Sequence, residues 1–453
     1  MTVLAQRVTR PMQTGSPWRG LPARQQPDWP DPDALAAAVC QLRALPPLVL
    51  ASECDTLRER LAQAASGQGF VLMGGDCAET FSGVTVDDIR DRVKTVLQMS
   101  AVLTYGTGVP VVKIGRLAGQ FAKPRSSGSE ERDGVTLPVY RGDIVNAVEF
   151  TAAARRPDPS RLVRAYLSSA TTLNLVRALA QGGFADMRAV QAWNRGFTAN
   201  PAFVRYERVA REIGKALRFM SACGSDFEAL GRTDVYAGHE ALVLDYEDAL
   251  ARPVAPPSSR IYAGSGHFIW VGERTRQLGG AHLAFAAAIG NPVGVKIGPA
   301  VTPDELLELI DVVNPDRVPG RLTLIVRLGA DRVAGTLPAL LHAVARSGHP
   351  VLWVCDPMHG NTVTARDGRK TRRFDAIARE VEEFFTAHRE AGTVPGGIHV
   401  ELTGSDVTEC VGGSAGVTED ALADRYHTAC DPRLNHQQSL ELAFLVAELL
   451  DRN

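Results

Sequence analysis

Eight short apolar runs punctuate the chain, and each gives way at once to polar or charged residues: FVLMGGD (70–76), PVVKIGR (110–116), MRAVQAW (187–193), HFIWVGE (267–273), PVGVKIG (292–298), LTLIVRLG (322–329), VLWVCDP (351–357) and IHVELTG (398–404). Runs this short and this continuously apolar read as strands buried on both faces, as in a parallel sheet. Helical patterns fill several of the intervals. In VTPDELLELIDVV, Thr302 suits an N-cap, Pro303 the first helical turn and Glu305 a capping box. Alternating strand and helix over this length predicts an α/β fold, a (β/α)8 TIM barrel, with an open doubly wound sheet as the alternative. The long interval between the third and fourth runs contains PAFVRYERVAREIGKALRFMSA and GHEALVLDYEDALA, both helical in pattern. Extra helices inserted after the third strand, at about 200–250, are therefore expected. The expected organisation is an N-terminal extension over 1–65 and a catalytic barrel over 66–453.

Composition narrows the class of partner. The 453 residues carry a formal net charge of only −2, and Lys and Arg are scattered rather than gathered in runs. No footprint for nucleic acid or an anionic membrane results, so a small molecule is the expected partner. No apolar run approaches a membrane span, and MTVLAQRVTRPMQ lacks the apolar region of a signal peptide, which points to a cytoplasmic protein. Arg7, Arg10, Arg19 and Arg24 precede the first acid, Asp28, as in transit peptides, but the segment is Pro-rich and poor in Ser and reads as a loose extension. Seven cysteines without a C-x-x-C pair argue against a disulfide framework or zinc ribbon. Neither a phosphate-binding P-loop nor a dinucleotide fingerprint is present.

In a barrel, reactive side chains come from the C-terminal strand ends and the loops after them. Two chemical sets lie there. Arg116, Lys123, Arg125, Arg274, Lys296 and Arg327 are cations that would repel one another unless a polyanion joined them, and a phosphorylated acid suits Arg and Lys together. Cys77, His359, Glu401 and Asp431 combine thiol, imidazole and carboxylates, a donor set that fits manganese, iron, cobalt or zinc better than magnesium. The same four also read as a core cysteine, a strand-end histidine and two solvated acids. Their origin at opposite ends of a chain that would close into a ring favours the metal. His239, His342, His349 and His388 are expected on surfaces, and His267 as a structural residue at the bottom of the fourth strand.

The motifs GGDCAETF, KIGRLAGQFAKPRS, YRGDIVN, RFMSACG, HEALVLDYE, GERTRQLGGAHLAF, NPVGVKIGP, GRLTLIVRLG, CDPMHGNT, GGIHVELTG, VTECVGG and ACDPRLNHQQSLELAFLVAELL follow one another from about Pro47 to the C-terminus. In this order they resemble the type II family of 3-deoxy-D-arabino-heptulosonate 7-phosphate (DAHP) synthases, which join phosphoenolpyruvate to erythrose 4-phosphate on a (β/α)8 barrel with one divalent metal. The resemblance implies metal ligation by Cys77, His359, Glu401 and Asp431, with manganese preferred and cobalt, iron or zinc as alternatives. It implies a phosphoenolpyruvate site of Arg274, Lys296 and Arg327 with Arg116 and Glu273 beside them, and an aldose phosphate site of Lys123, Arg125 and Ser126.

Lys123 and Glu273 are the candidate proton carriers. The resemblance also implies a homo-oligomer, dimer or tetramer, some inhibition by aromatic amino acids, and an association with chorismate mutase. Rival readings are an amino-DAHP synthase using an imino-tetrose phosphate, a catalytically silent partner of chorismate mutase, and a metal-dependent aldolase or hydrolase. The proximity of Cys430 to Asp431 in sequence further suggests that Cys77 could pair with Cys430 under oxidation.

Overall fold

The computed structural model describes residues 17–182, 184, 204–205, 207–209, 211–215, 233–254 and 260–451. Eight parallel strands close a barrel: β1 (Phe70–Gly75), β2 (Val111–Arg116), β3 (Val235–Glu240), β4 (Phe268–Val271), β5 (Val293–Ile297), β6 (Leu322–Val326), β7 (Val351–Cys355) and β8 (Gly397–Glu401). Neighbours in the ring are neighbours in sequence, and β1 pairs with both β2 and β8. Seven strands fall on apolar runs picked out above. The exception is the third: the run 187–193 lies outside the described residues, and the third barrel strand is VYAGHE, within a stretch expected to be helical. Within GHEALVLDYEDALA helix begins at Leu244, whereas in the expected insertion the described residues 204–205, 207–209 and 211–215 are helical.

Helices flank the ring: α1 (Pro32–Ala44) and α2 (Ala51–Ala65) precede it, and α3 (Val86–Thr107), α4 (Ser160–Gln181), α5 (Leu244–Leu250), α6 (Ala281–Ala288), α7 (Pro303–Val313), α8 (Val333–Ser347), α9 (Phe374–Ala391) and α10 (His436–Asp451) follow β1 to β8 in turn. The N-cap foreseen for α7 forms, with Thr302 accepting from the Glu305 amide and Pro303 in the first turn, while the Glu305 carboxylate pairs with Arg276. The last helix packs along α3, so closely at one point that a Cβ on Gly106 would stand 2.6 Å from the Ala447 side chain.

The barrel's N-terminal mouth is shut by α2. Leu57, Leu61 and Ala64 of this helix share one buried cluster with Val71, Met73, Ile114, Phe268, Ile325 and Val354 from the barrel interior. Below the site, then, the barrel is solid, and polar residues are left to the opposite end. Leu61 is fully buried, so Leu61→Ala is expected to cost about 2–5 kcal/mol, read as a lowered midpoint of urea unfolding at unchanged slope.

Candidate active site

Register decides which strand ends meet. Gly75 lies opposite both Arg116 and Glu401, so the missing side chain on β1 leaves room where β2 and β8 deliver theirs. Glu401 is fully buried. Its Oε1 lies 3.0 Å from Arg116 Nη2, 3.0 Å from Lys123 Nζ and 2.9 Å from His359 Nε2, and its Oε2 lies 2.7 Å from Arg372 Nη1. Burial alone would raise this carboxyl, but His359, Lys123, Arg372 and Arg116 hold it well below the usual carboxylate range.

A second carboxylate, Asp356, organises the end of β7. It accepts from the Met358 and His359 amides, takes His359 Nδ1 at 2.7 Å and pairs with Lys296. Against the penalty of burial, His359 and Lys296 keep it well below its ordinary range. His359 is thereby oriented by Asp356 on one nitrogen and presented to Glu401 by the other. Burial with its positive neighbours Lys296 and Arg116 pushes His399 well down, so its ring is neutral and can accept from Arg116 Nη1 at 2.6 Å.

Above these groups lies a cavity of about 870 Å³, counting its open mouth. All six cations of the expected set line it, as do Ser126 and Glu273. Their partners divide them. Arg116, Lys123 and Lys296 are matched by the buried acids just described, whereas Arg125, Arg274 and Arg327 have no carboxylate partner among the described residues. Three guanidinium groups at the rim of a polar cavity are a site for phosphate and carboxylate.

The four expected metal ligands come near one another without closing on a point. His359 and Asp431 line the cavity, while Cys77 and Glu401 are fully buried. Lys123 Nζ sits between Glu401 and Asp431, 2.8 Å from the latter, and 3.5 Å from the Cys77 carbonyl. Among the described residues no group of three or more His, Cys, Asp and Glu side chains is arranged to hold an ion. The chemistry of the set nevertheless suits a divalent cation: a thiol, an imidazole and two carboxylates, with the Lys123 ammonium lying between the carboxylates. Burial raises the Cys77 thiol, against the pull of Lys123, and its sulfur lies 3.1 Å from Thr428 Oγ1. Cys77 and Cys430 are both free thiols.

Some site residues escaped the sequence reading. Glu240 ends β3 and lines the cavity, and its Oε1 is buried with no hydrogen-bond partner among the described residues. A Cβ on Gly272 would lie 2.0 Å from that oxygen, so glycine there makes room for the carboxylate. Its only signal was the motif HEALVLDYE, whose strand had been assigned elsewhere. Trp270 lies beneath the guanidinium of Arg116, 5.2 Å from ring centre to carbon, but in a strand it reads as core. Lys370, on the hairpin Thr362–Thr364/Lys370–Arg372, holds Asp431 at 2.8 Å, and nothing in its sequence context marks it. Two histidines expected on surfaces are buried instead. His239 bonds Glu247 at 2.8 Å and His388 bonds Thr393. His267 is structural, its Nδ1 accepting from the Ala237 amide.

The sequence profile described as the Class-II DAHP synthetase family matches residues 13–447. A phospho-2-dehydro-3-deoxyheptonate aldolase of Streptomyces coelicolor is 57% identical over 436 residues, covering 96% of this chain and 97% of that protein. Its counterpart in Mycolicibacterium smegmatis is 52% identical over 434 residues, covering 95% and 93%. The DAHP synthase structure of Thermotoga maritima aligns with 85% of this chain and 70% of that one at 15% identity and a TM-score of 0.36, a likeness too slight to carry weight.

Uncompensated rim arginines should make the fold responsive to oxyanions. Inorganic phosphate is expected to raise the melting temperature in a saturable way, since a ligand at a hundred times its Kd adds about 2.7 kcal/mol. In Arg327→Ala the concentration needed should increase by about tenfold or more.

Proposed function

The chain belongs to the class-II DAHP synthetase family, and from that premise we propose how its cavity performs the family's reaction. It is a carbon–carbon bond-forming transferase that condenses phosphoenolpyruvate with erythrose 4-phosphate and water, giving 3-deoxy-D-arabino-heptulosonate 7-phosphate and orthophosphate, the first step of the shikimate pathway. The observation carrying the assignment of parts is that three arginines without acid partners share one cavity with Lys123 and Lys296.

Arg274, Lys296 and Arg327 hold the phosphate and carboxylate of phosphoenolpyruvate, with Arg116 and Glu273 alongside. Lys123, Arg125 and Ser126 hold the aldose phosphate. This fixes the enol carbon C3 beside the aldehyde carbon and turns a bimolecular encounter into an oriented one. As C3 bonds to that carbon, positive charge develops at C2 and negative charge at the former aldehyde oxygen. Lys123 stays an ammonium, because Asp431 and Glu401 outweigh the burial that works against its charge; it donates to that oxygen and stabilises it. Water adds at C2 and surrenders its proton to Glu273 or to Glu240, whose buried Oε1 has no partner among the described residues. The C2–O bond to phosphate then breaks, the hydroxyl oxygen becomes the ketone as its proton leaves with the phosphate, and the proton taken from water is returned to the former aldehyde oxygen.

A divalent ion, manganese first among manganese, cobalt, iron and zinc, would be held by Cys77, His359, Glu401 and Asp431 and would supply Lewis-acid polarisation of the aldehyde. The donor chemistry around Lys123 supports this. A homo-oligomer in the cytoplasm is the proposed setting, to be checked by sedimentation and cell fractionation.

Phosphate release from phosphoenolpyruvate is expected only when erythrose 4-phosphate is present, to stop on chelation and to return with manganese or cobalt. Release that persists without the aldose would defeat the assignment. Burial lowers the Lys296 ammonium to about 8, so its charge is lost as pH rises through that value in the free enzyme. The kcat/KM for phosphoenolpyruvate should fall over the same interval, and in Lys296→Arg, which stays charged, that fall should be displaced to higher pH.

A further inference from the structure

Helix α9 carries a glutamate, Glu380, that is fully buried against two loops and does not line the cavity. Its Oε1 accepts from the amides of Leu328 at 3.0 Å and Gly329 at 2.8 Å, directly after Arg327. Its Oε2 accepts from Asn361 Nδ2 at 2.6 Å, two residues after His359. Asn361 returns across the gap, its Oδ1 accepting from the Ala330 amide at 3.0 Å while Nδ2 also reaches the Pro357 carbonyl at 2.8 Å. The two loops touch backbone to backbone at glycines. A Cβ on Gly360 would stand 2.3 Å from the Gly329 nitrogen, and one on Gly329 would stand 2.9 Å from the Gly360 oxygen. On the cavity side of this contact, Arg327 Nη2 donates to the His359 carbonyl at 2.6 Å.

We propose that Glu380 and Asn361 form a clasp that positions Arg327 against His359, so that the anion-binding arginine and the histidine facing Glu401 keep a fixed separation. The proposal rests on the assignment of Arg327 to phosphoenolpyruvate. Neither clasp residue lines the cavity, so both are positioning residues. The geometry requires a carboxylate on one side and an amide on the other. All three groups facing Glu380 are N–H donors, and the Ala330 amide demands an acceptor from Asn361.

This polarity gives the test. In Glu380→Gln the new amide nitrogen confronts Asn361 Nδ2, and flipping Asn361 only moves the conflict to the Ala330 amide. An unmet buried donor of this kind is destabilising and shifts the loop that carries it. In E380Q/N361D the polarity is reversed across the pair: the glutamine oxygen serves Leu328 and Gly329, its nitrogen meets a carboxylate, and the second carboxylate oxygen serves Ala330. The bond to the Pro357 carbonyl is lost, and that carbonyl then faces a carboxylate oxygen, the one mismatch left in the double variant.

Steady-state kinetics and melting temperature would be measured on wild type, E380Q and E380Q/N361D. E380Q is expected to raise the KM for phosphoenolpyruvate about tenfold, leaving that for erythrose 4-phosphate within about twofold, and the double variant to return the former to within about threefold of wild type. A double variant that recovers the melting temperature but not the KM would overturn the proposal, as would E380Q with unchanged kinetics. Should E380Q not accumulate as folded protein, the double variant alone decides by the same threefold criterion. Wild-type turnover, measured alongside, tests the reaction itself independently of the clasp.

Discussion

Everything at the C-terminal end of the barrel is arranged around one buried carboxylate. Taking Glu401 out of water would cost several kcal/mol if it stood alone, and the chain answers with hydrogen-bond partners from four separate segments. Arg116 comes from β2, Lys123 from the loop beyond it, His359 from the loop after β7 and Arg372 from the hairpin that follows. Each is held in turn by something else: Arg116 by the Asp76 and Cys77 carbonyls, Lys123 by Asp431, and His359 by Asp356. Removing any one would take a partner from a fully buried carboxylate, so the groups of the cluster depend on one another.

The neutralisation is deliberately incomplete toward the mouth. Buried acids are spent on Arg116, Lys123, Lys296, Lys370 and Arg372, and the rim arginines Arg125, Arg274 and Arg327 are left over. In the proposed reaction a substrate pair carrying two phosphates and a carboxylate would complete the balance. Because the cations are already fixed by their carboxylates, the charge that develops during condensation meets groups that need not reorganise, and that is where such sites gain most of their rate.

Much of this was legible in the sequence because a parallel strand buried on both faces must stop being apolar where it emerges. Arg116 and Glu401 end the runs KIGR and HVE, Lys296 is the last residue but one of GVKI, and Arg274, Arg327 and His359 lie just beyond their runs; five of these line the cavity, with Glu401 buried beneath it. The third strand was illegible for the same reason reversed. VYAGHE carries Gly238 and His239 where packing leaves little space: a Cβ on Gly119 would stand 2.6 Å from the His239 ring, and one on Gly238 would stand 2.9 Å from Ile114. Close approach suppressed its apolar signature, and the acids of LDYED just after it suggested a longer helix. Glu240 was lost with it. Arg372 and Lys370 were invisible because a hairpin, not a strand end, brings them in. The sequence also named plausible metal donors without revealing that a lysine stands among them.

Glu79 shows why a motif can outlast any contact with substrate. Within GGDCAETF it ligates nothing and lines no cavity, yet its carboxylate accepts from the amides of Ala118, Gly119 and Gln120 at 3.0, 3.0 and 2.8 Å. Those amides converge because Ala118 has a φ of 58°, a left-handed conformation that a non-glycine residue adopts only at a cost. Glu79 offsets that cost, and the bend it secures directs the next turn of chain, with Lys123, back over Glu401. Burial raises the Glu79 carboxyl, while Arg92 and the three amides oppose the rise. One acid at the end of β1 thus shapes a loop from β2 so that its lysine can reach an acid on β8, and the ring of strands is closed through side chains as well as through its sheet.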